Sequence, residues 1–385
     1  MSTIFAVLGA GTQGLAAAYD LARSGAPTRL LIGDASLEQA RRVADRVNAL
    51  IGQTIAEPHP VDAGNPRSLD AFLAPVDVVA CCLPYWLQPK ALDAAIRTRT
   101  SMCDLDGEDL PTDGNLPHAE AALAAGITHI PDTGLAPGLV NSIGVHLMNQ
   151  LDATESVQLY CGVLPQNPRP PLNYRLAFNV EGLIAEYDEP AIALRNGEVV
   201  TLEPLTEVEP VDFHGIPLEG FVTGGGVSTA PYTLQGRVAN YEYKTLRFPG
   251  HAAQMRAFRG LGLWSDAPVD AEGTTVVPRA LFRRLLADAL AGPPDRDQCF
   301  VRGVAKGIKD GRPATLTIDI HDQEDPETGL TSMQRLTGFS IAIHAIAIAQ
   351  GKLPKGALRY EEAMDPAEFL REIERRGVSV VTDAR

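Results

Sequence analysis

Short apolar segments alternate with amphipathic segments along the first 130 residues. Segments 4–8, 28–32, 55–61, 76–83, 101–105 and 127–130 have the composition of buried strands, whereas segments 12–24 and 36–50 have a helical period. Strands that alternate with helices are typical of a parallel sheet covered on both faces. The N-terminal part is therefore predicted to be a doubly wound α/β domain.

The pattern changes after Gly138, where strands and hairpin turns replace the regular alternation and helices return only near the end. The expected elements are helix 139–150, strands 155–163 and 236–248, turns at Asn196-Gly197 and Asp310-Gly311, and helices 332–349 and 366–375. This predicts a second α/β domain with a mixed, mainly antiparallel sheet. We expect domain limits of 1–133, 134–330 and 331–385, the last for the C-terminal helices.

Length and charge narrow the function classes. A chain of 385 residues exceeds the usual size of one hydrophobic core, which agrees with more than one domain. The formal net charge is −15, from 33 basic and 48 acidic residues. Nucleic acid and anionic membranes bind clustered Lys and Arg, so neither is expected as the main partner.

Cysteine and histidine usage gives no sign of a metal or of a disulfide framework. The five cysteines form no CxxC pair and the eight histidines have no zinc-type spacing. No apolar run approaches the ~20 residues of a membrane span, and the first residues lack the basic region of a signal peptide. We therefore expect a cytoplasmic protein without a bound metal.

The most informative short motif is Gly9-Ala10-Gly11-Thr12-Gln13-Gly14, which follows the first predicted strand and opens the first helix. In a Rossmann fold, Gly9 would permit the tight turn, Gly11 would let the backbone approach a pyrophosphate, and Gly14 would let the helix pack closely on the sheet. The helix N-terminus offers N–H groups and the positive end of its dipole. The motif predicts a dinucleotide site that includes Thr12 and Gln13.

Two acidic residues bear on which dinucleotide is bound. Asp34 ends the second predicted strand, 20 residues after Gly14, at the spacing where an acidic side chain accepts hydrogen bonds from the ribose hydroxyls. A carboxylate there repels a 2′-phosphate, so NAD is favoured over NADP. Asp62 follows the third strand and either reaches the adenine or is an ordinary turn aspartate.

Longer blocks extend the comparison beyond the glycine motif. They are VVACCLPYWL (78–87), SMCDLDGE (101–108), AGITHIPDTGLAPGLVNSI (125–143), YCGVLPQNPRPPLNYRLAFNVEGLIAEYDEPA (160–191), YKTLRFPGH (243–251) and SMQRLTGFSIAIHAIAIAQGKLPKGAL (332–358). Together they resemble the saccharopine dehydrogenase family, and within it the lysine 6-dehydrogenase-like branch. The resemblance covers essentially the whole chain.

The resemblance implies an N-terminal Rossmann domain, an inserted α/β domain for substrate binding and dimerisation, and final helices that return to the first domain. It also implies pyridine-nucleotide chemistry at a carbon that bears nitrogen. In the lysine 6-dehydrogenase branch, L-lysine is oxidised at its side-chain amine to 2-aminoadipate 6-semialdehyde, which cyclises to piperideine-6-carboxylate, and ammonia is released. Saccharopine-forming relatives instead join an amino acid to a carbonyl compound.

We therefore expect an NAD-dependent L-lysine 6-dehydrogenase that acts on a small-molecule amino acid as a homodimer or a higher homo-oligomer. One alternative is a saccharopine- or carboxynorspermidine-type reductase, which joins an amine to a carbonyl compound. Another, of a different class, is a non-catalytic NAD-binding sensor.

Site candidates follow the fourth predicted strand, at the carboxyl edge where open α/β sheets bind ligands. Cys82, Leu83 and Pro84 would border the cofactor. The resemblance places a Pro-Tyr pair beside the nicotinamide, so Tyr85 would either contact a ligand or cover the domain interface.

The fifth predicted strand ends at the same edge. Asp104 is favoured as the partner of a substrate ammonium group, because an amine must lose a proton before it can lose a hydride. Asp106 and Glu108 fit a solvated acidic loop. Cys103 is expected to be a buried strand residue rather than a reactive thiol.

The second half of the chain supplies the remaining candidates. Arg175 and Arg247 are candidates for a bidentate grip on the substrate carboxylate, with Arg247 preferred. Lys244 and His251 flank Arg247 and are, with Asp104, the candidate bases, although strand lysines and lone histidines are often surface residues.

The crossing between the two halves and one glycine-rich segment complete the candidate cleft. Asp132 and Asn141 are candidate contacts near the crossing at 131–138. The segment 224–229, GGGVST, lacks the Lys-Ser/Thr ending of a phosphate loop and indicates a flexible cleft wall.

Overall fold

The N-terminal third forms a parallel sheet in a computed structural model that describes residues 3–105, 116, 118–176, 180–291 and 295–384. Its elements are β1 (Ile4–Leu8), α1 (Thr12–Ser24), β2 (Arg29–Asp34), α2 (Leu37–Ile51), β3 (Ala56–Pro60), α3 (Pro66–Leu73), β4 (Val78–Cys81), a 3₁₀ turn (Tyr85–Leu87), α4 (Gln88–Thr98), β5 (Ser101–Asp104), α5 (Ala119–Ala125) and β6 (Thr128–Ile130). The strands run parallel in the order β6-β5-β4-β1-β2-β3, which is the order of dinucleotide-binding sheets. The predicted Rossmann-type domain is confirmed.

Local sequence signals explain several of these boundaries. Helix α2 begins after Ser36, whose side chain accepts a hydrogen bond from the Gln39 backbone N–H. Helix α3 begins with Pro66 after an Asn65 cap. The strand order reverses between β1 and β4, and open α/β sheets bind their ligands at the carboxyl ends of the strands at such a reversal.

The second half contains a nine-stranded sheet. The elements around it are α6 (Leu139–Met148), β7 (Ala153–Pro165), α7 (Val180–Asp188), β8 (Ala191–Arg195), β9 (Glu198–Leu202), β10 (Glu209–Phe213), β11 (Ile216–Phe221), α8 (Ala230–Thr233), β12 (Val238–Arg247), α9 (His251–Gly260), β13 (Val269–Ala271), β14 (Thr274–Val276), α10 (Pro278–Ala291), β15 (Asp297–Lys309) and β16 (Arg312–Gln323). Among its described strands only β12 and β7 pair in parallel, so the predicted mixed, mainly antiparallel sheet is confirmed. The predicted turns at Asn196-Gly197 and Asp310-Gly311 join β8 to β9 and β15 to β16.

The last elements join both sheets. They are α11 (Ser332–Ala349), β17 (Gly356–Ala357), α12 (Tyr360–Ala363), α13 (Pro366–Arg375) and β18 (Val381–Ala384). Strand β17 pairs with β6 in the first sheet, and β18 pairs with β16 in the second. Helix α11 packs so closely on α1 that a Cβ at Gly338 would lie 2.4 Å from the Cβ of Ala16.

Two polar anchors fix this C-terminal part. The Arg376 guanidinium forms a buried ion pair with Asp20 of α1, at 2.7 Å between Nε and Oδ2. The Asp297 carboxylate accepts hydrogen bonds from the Ser332 and Met333 backbone N–H groups at the start of α11. None of the helices in the described ranges is long and apolar enough to cross a membrane.

Candidate active site

The glycine turn contains two glycines that close packing requires and one glycine that packing does not require. A Cβ at Gly9 would lie 2.6 Å from the Cys82 carbonyl oxygen, and a Cβ at Gly14 would lie 2.0 Å from the Gly9 carbonyl oxygen. At Gly11 nothing lies within 4 Å, and its φ of −78° suits any residue. Packing therefore explains Gly9 and Gly14, whereas the open space at Gly11 fits a pyrophosphate that approaches the backbone.

The start of α1 also fits a bound dinucleotide. No side chain caps the helix at Gly11, and Thr12 is exposed beside it. The amide atoms of Gln13 are buried and have no hydrogen-bond partner among the described residues. Uncapped N–H groups at a helix N-terminus and an unpaired amide are groups that a cofactor could satisfy.

Asp34 lies directly against the glycine turn. Its Oδ2 accepts a hydrogen bond from the Ala10 backbone N–H and its Oδ1 accepts one from the Ser36 backbone N–H, both at 2.9 Å. A carboxylate has about four lone-pair sites, so both oxygens can accept further hydrogen bonds from a ribose. The segment 34–37 that follows β2, Asp-Ala-Ser-Leu, contains no basic residue to pair with a 2′-phosphate.

The next predicted cofactor contacts lie at the ends of β3 and β4. Asp62 is exposed and its Oδ1 accepts a hydrogen bond from the Gly64 backbone N–H at 2.8 Å, which is the turn role weighed above. Cys82 is half-buried next to Gly9, and its backbone N–H donates to the Leu8 carbonyl oxygen. Leu83 and Pro84 continue along the same edge, where Leu83 is half-buried and Pro84 is exposed.

Tyr85 extends from this edge as part of an exposed aromatic pair. It is 41% exposed, and its ring meets the 56% exposed ring of Trp86 edge-on at 5.0 Å between centroids. Such exposure leaves both rings able to cover a ligand or a partner surface. Trp86 was not among the predicted site residues.

Asp104 is a buried anchor. Its Oδ2 pairs with Nε2 of His129 at 2.8 Å, and its Oδ1 accepts a hydrogen bond from the Asp132 backbone N–H at 3.3 Å. Only 3% of Asp104 is exposed. It therefore positions the crossing at 131–138, and this geometry does not support the prediction that Asp104 binds a substrate ammonium. Asp106 and Glu108 lie outside the described residues.

Burial keeps the thiols at this edge protonated. Burial, followed by the charge of Asp104, raises the pKa of Cys82 to about 12. Burial likewise raises the pKa of Cys103 well above its usual value. These cysteines are unsuited to act as nucleophiles, as expected for Cys103.

The predicted cleft wall at 224–229 is tied to the crossing at 131–138 and to the C-terminal part of the chain. The Ser228 hydroxyl donates to Oδ2 of Asp132, and the Thr229 hydroxyl donates to the Glu361 carboxylate at 2.9 Å. Asn141 is fully buried and its Nδ2 donates to the Val227 carbonyl oxygen at 3.0 Å. Asn141 thus supports the wall, and within the described structure no contact shows it facing the cleft directly.

Arg247 lies behind the cleft surface in a dense polar cluster. Its Nε donates to the Tyr187 hydroxyl and its Nη1 donates to the Leu246 carbonyl oxygen, both at 3.0 Å. The guanidinium also lies over the Tyr174 ring, 4.6 Å from its centroid, and is 3.5 Å from Oε2 of Glu186. Because Arg247 is only 4% exposed, it holds the residues of the wall together from behind. This position does not support the prediction that Arg247 binds the substrate carboxylate.

His251 belongs to the same buried cluster. Its Nε2 meets the Tyr187 hydroxyl at 3.0 Å, and its Nδ1 meets the Leu172 carbonyl oxygen at 3.2 Å. A carbonyl oxygen only accepts, so Nδ1 carries a hydrogen. Burial, followed by the positive charge of Arg247, lowers the pKa of His251 to about 3. The prediction that His251 acts as a base is not supported by this environment.

Lys244 lies on the other face of β12. Side chains alternate along a strand, so Lys244 and Arg247 point to opposite faces of the sheet. The Lys244 ammonium pairs with Oε1 of Glu209 at 2.8 Å and donates to the Glu207 carbonyl oxygen at 3.0 Å. Tyr160 donates to the same Glu209 oxygen. Lys244 therefore belongs to a polar network outside the cleft and is not positioned as a base.

Arg175 and the glycine turn line one cavity. The cavity measures about 180 Å³, and Thr12, Arg175, Thr331 and Gln334 are among its lining residues. Its walls are held together because the Gln334 side chain donates to the Thr12 carbonyl oxygen at 2.9 Å. A second cavity of about 220 Å³ adjoins it and shares Pro165, Arg175 and Asp295. Of the two predicted arginines, Arg175 is the one that lines a cavity, where its Nη1 also donates to the Asp295 carbonyl oxygen.

Family models match nearly the whole chain. Residues 5–130 match the saccharopine dehydrogenase NADP binding domain, and residues 134–378 match the saccharopine dehydrogenase C-terminal domain. The chain belongs to the saccharopine dehydrogenase family. This confirms the resemblance at the level of the family and identifies the protein as a member of an oxidoreductase family that binds a pyridine nucleotide.

Individual relatives agree with this family membership. A mouse mitochondrial alpha-aminoadipic semialdehyde synthase is 31% identical over 214 residues, which cover 51% of this chain and 22% of the mouse protein. A yeast protein (Saccharomyces cerevisiae) named saccharopine dehydrogenase [NADP(+), L-glutamate-forming] is 26% identical over 44% of this chain and 39% of its own length. The matched regions thus span well under half of these relatives.

A solved structure shows the shared fold over full length. The apo saccharopine dehydrogenase (L-Glu forming) from Saccharomyces cerevisiae superposes with a TM-score of 0.78 at 18% identity, covering 100% of both chains. The low identity means that this match speaks for the fold and not for the substrate.

Sequence reasoning missed several residues that line the candidate site or pack directly behind it. They are Trp86, His129, Tyr174, Glu186, Tyr187, Thr331 and Gln334. Only Thr331 and Gln334 carry a local signal, because a Thr three residues before a Gln forms a capping box, which the structure shows. The others come from separate segments, and no spacing in the sequence relates them to one another.

Proposed function

We propose that this member of the saccharopine dehydrogenase family is an NAD-dependent oxidoreductase that oxidises the side-chain amine of an amino acid, with L-lysine as the substrate. The observation that carries the proposal is the cavity shared by Thr12 of the glycine turn and Arg175 of the second half. An amino acid held there by its carboxylate would lie between the cofactor turn and the cleft wall. Arginine suits this role because its planar fork matches a carboxylate.

The choice of NAD rests on Asp34. Its carboxylate touches the glycine turn through Ala10, and the segment 34–37 offers no cation for a 2′-phosphate. The family model is described as NADP binding, and the yeast relative's name includes NADP(+). Our proposal therefore assigns this chain a cofactor preference that differs from the one in those names.

The residues of the chain would position the reactants. When bound, NAD would supply the acceptor for a hydride from the carbon that bears the amine. Arg175 would hold the carboxylate, the backbone at Gly11 and the start of α1 would hold the pyrophosphate, and the wall at 224–229 would limit access of water. Water would then convert the oxidised carbon to an aldehyde and release ammonia.

A second candidate function is a saccharopine-type reductase, which joins an amine to a carbonyl compound. The names of the relatives favour it, and so does the second cavity that adjoins the first at Arg175. Two adjoining cavities would suit a substrate with two carboxylate-bearing arms. This candidate requires two co-substrates in the reductive direction.

The test is to incubate the protein with L-lysine, L-ornithine or saccharopine, each with NAD and with NADP, and to follow the absorbance of the reduced cofactor. We expect turnover with lysine and NAD. Turnover with saccharopine alone would favour the second candidate, and tight NAD binding without turnover of any amine would favour a sensor. An Arg175→Lys variant should raise KM for the amino acid, whereas Arg284→Lys on the exposed face of α10 should not.

A further inference from the structure

Glu186 in the last turn of α7 is a partly exposed acidic side chain beside the buried Arg247. A third of its side chain is exposed, and its Oε2 lies 3.5 Å from Nη2 of Arg247. Its backbone carbonyl oxygen accepts a hydrogen bond from the Gly224 N–H at 2.8 Å. This bond fixes the position of Glu186 relative to the wall at 224–229.

The protein desolvates the Glu186 carboxyl group. Burial raises its pKa to about 7, even though Arg247 acts in the opposite direction. Part of the Glu186 side chain nevertheless stays exposed, so the carboxyl group can still reach a ligand. The half-buried Tyr243 borders the carboxyl group, and its ring lies so close to the wall that a Cβ at Gly226 would be 2.2 Å from its Cδ1.

Contacts connect the surroundings of Glu186 to the cofactor side of the molecule. The wall over Tyr243 continues to Ser228, which hydrogen-bonds Asp132 of the crossing that follows the first sheet. On the other side, Arg247 lies over Tyr174, and the next residue, Arg175, lines the cavity reached by the glycine turn. Glu186 and Arg175 thus belong to one wall of the cleft.

Arg247 does not use up the hydrogen-bonding capacity of Glu186. The guanidinium is already engaged by Tyr187, the Leu246 carbonyl oxygen and the Tyr174 ring. Within the described ranges, Oε1 of Glu186 accepts no hydrogen bond. Glu186 therefore presents a carboxylate oxygen that can accept a hydrogen bond from a substrate N–H group.

We propose that Glu186 binds the reacting ammonium group of the substrate and accepts its proton, an inference that rests on the proposed amine oxidation. The N–H bond breaks, the proton moves to the Glu186 carboxylate, and the electron pair stays on nitrogen. The neutral amine can then lose a hydride from its carbon to the nicotinamide of NAD. Water adds to the resulting iminium, and ammonia leaves.

The other acid–base groups of the site are less suited to this role. Asp104 is 3% exposed and engaged by His129, and His251 is a neutral ring with both nitrogens engaged. Lys244 lies on the opposite face of β12 in a pair with Glu209. Glu186 combines a partly exposed carboxylate with a backbone that is held against the wall at 224–229.

The test compares Glu186→Gln and Glu186→Asp with a matched control, Glu189→Gln, an exposed glutamate just past the end of the same helix. For each protein, kcat/KM for lysine is measured against pH, and NADH affinity is measured by fluorescence. We expect Glu186→Gln to lose roughly 100-fold or more in kcat/KM, the contribution of a positioned base. We expect Glu186→Asp to retain part of the activity, and both variants to keep the NADH affinity of the wild type.

The pH profile distinguishes a base from a merely structural residue. The wild-type kcat/KM should fall below about pH 7 as Glu186 becomes protonated, and this acid limb should be absent in Glu186→Gln. A Glu186→Gln variant with wild-type kcat/KM and the same acid limb would overturn the inference and leave the proposed function standing. Parallel losses of activity and NADH affinity would also overturn it. A wild-type protein inactive with every amine would instead refute the proposed function.

Discussion

The two walls of the cleft are built in different ways. The cofactor wall consists mainly of the backbone of one short turn. Within the turn Gly14 packs on Gly9, and the carboxylate of Asp34 binds the Ala10 N–H. The opposite wall consists of side chains, in which Arg247 joins Glu186, Tyr187 and Tyr174 from other segments. A backbone site tolerates side-chain changes unless they add bulk, whereas a side-chain cluster loses several contacts when one member is removed.

Each wall contains residues that support the site from behind and residues that face it. On the cofactor wall, only Gly11 of the three glycines borders open space. On the opposite wall, Arg175 borders the cavity, whereas Arg247 and His251 are buried behind it. The two kinds of residue should therefore respond differently when stability and activity are measured separately.

The largest effect is expected for Arg247→Met. The substitution removes a buried cation, so the Tyr187 hydroxyl loses a hydrogen-bond donor and Glu186 loses its ion-pair partner. The free energy of unfolding should therefore fall by about 3–5 kcal/mol. Urea denaturation would measure this. Arg97→Met, which breaks an exposed pair with Asp70, should cost about 1 kcal/mol or less. Equal losses in the two variants would contradict the view that Arg247 organises the wall.

The pH dependence of the free energy of unfolding should reflect the protonation of His251. Because the folded pKa of about 3 lies below the unfolded value of ~6.5, the unfolded state binds the proton first, and stability falls as pH decreases below ~6.5. Between pH 7 and pH 5 this amounts to roughly 2 kcal/mol. The loss of unfolding free energy between pH 7 and pH 5 should be smaller by that amount in His251→Gln. It should be unchanged in His118→Asn, a substitution at the surface. An identical pH dependence in His251→Gln would refute the assignment.

Alanine at two positions of the glycine turn should separate packing from binding. A Cβ at Gly14 would meet the Gly9 carbonyl oxygen, so Gly14→Ala should destabilise the fold by at least ~1–3 kcal/mol. Gly11→Ala should leave stability within about 0.5 kcal/mol and weaken NADH binding. Thermal unfolding and NADH fluorescence titration measure the two effects. Unchanged NADH affinity in Gly11→Ala would argue against a pyrophosphate at that position.

Asp34→Asn should change the cofactor preference of the glycine turn. The amide keeps an acceptor for the Ala10 N–H and removes the negative charge that opposes a 2′-phosphate. The preference for NADH over NADPH should therefore fall about tenfold, equivalent to ~1.4 kcal/mol. Titration of both cofactors against the wild type and the variant checks this. A wild type that already prefers NADPH would remove the basis of the NAD proposal.

The smallest effect on activity is expected for Lys244→Met. Lys244 lies outside the cleft and pairs with Glu209, so kcat/KM for the amine should stay at the wild-type level. Activity assays at saturating NAD provide the measurement, with Glu186→Gln as the sensitive counterpart. A large loss of activity in Lys244→Met would show that the base lies on the other face of β12.

Much of the fold was predictable because its signals are local. The alternation of strands and helices, the Ser36 cap and the two hairpin turns are each written within a few residues, and the structure contains all of them. The glycine turn was predictable for the same reason. Its function depends on backbone conformation and on the absence of side chains, which the sequence states directly.

The sequence by itself thus determined the two-sheet architecture, the position of the cofactor turn and the family. Only the tertiary structure decided which polar residues face the cleft. Lys244 and Arg247 are three residues apart, yet the alternation of the strand and the partners on each face place one in the Glu209 pair and the other behind the cleft. Burial, set by segments distant in the chain, gives His251 and Glu186 their opposite pKa shifts. Desolvation depends on everything packed around a group, and no short stretch of sequence contains that information.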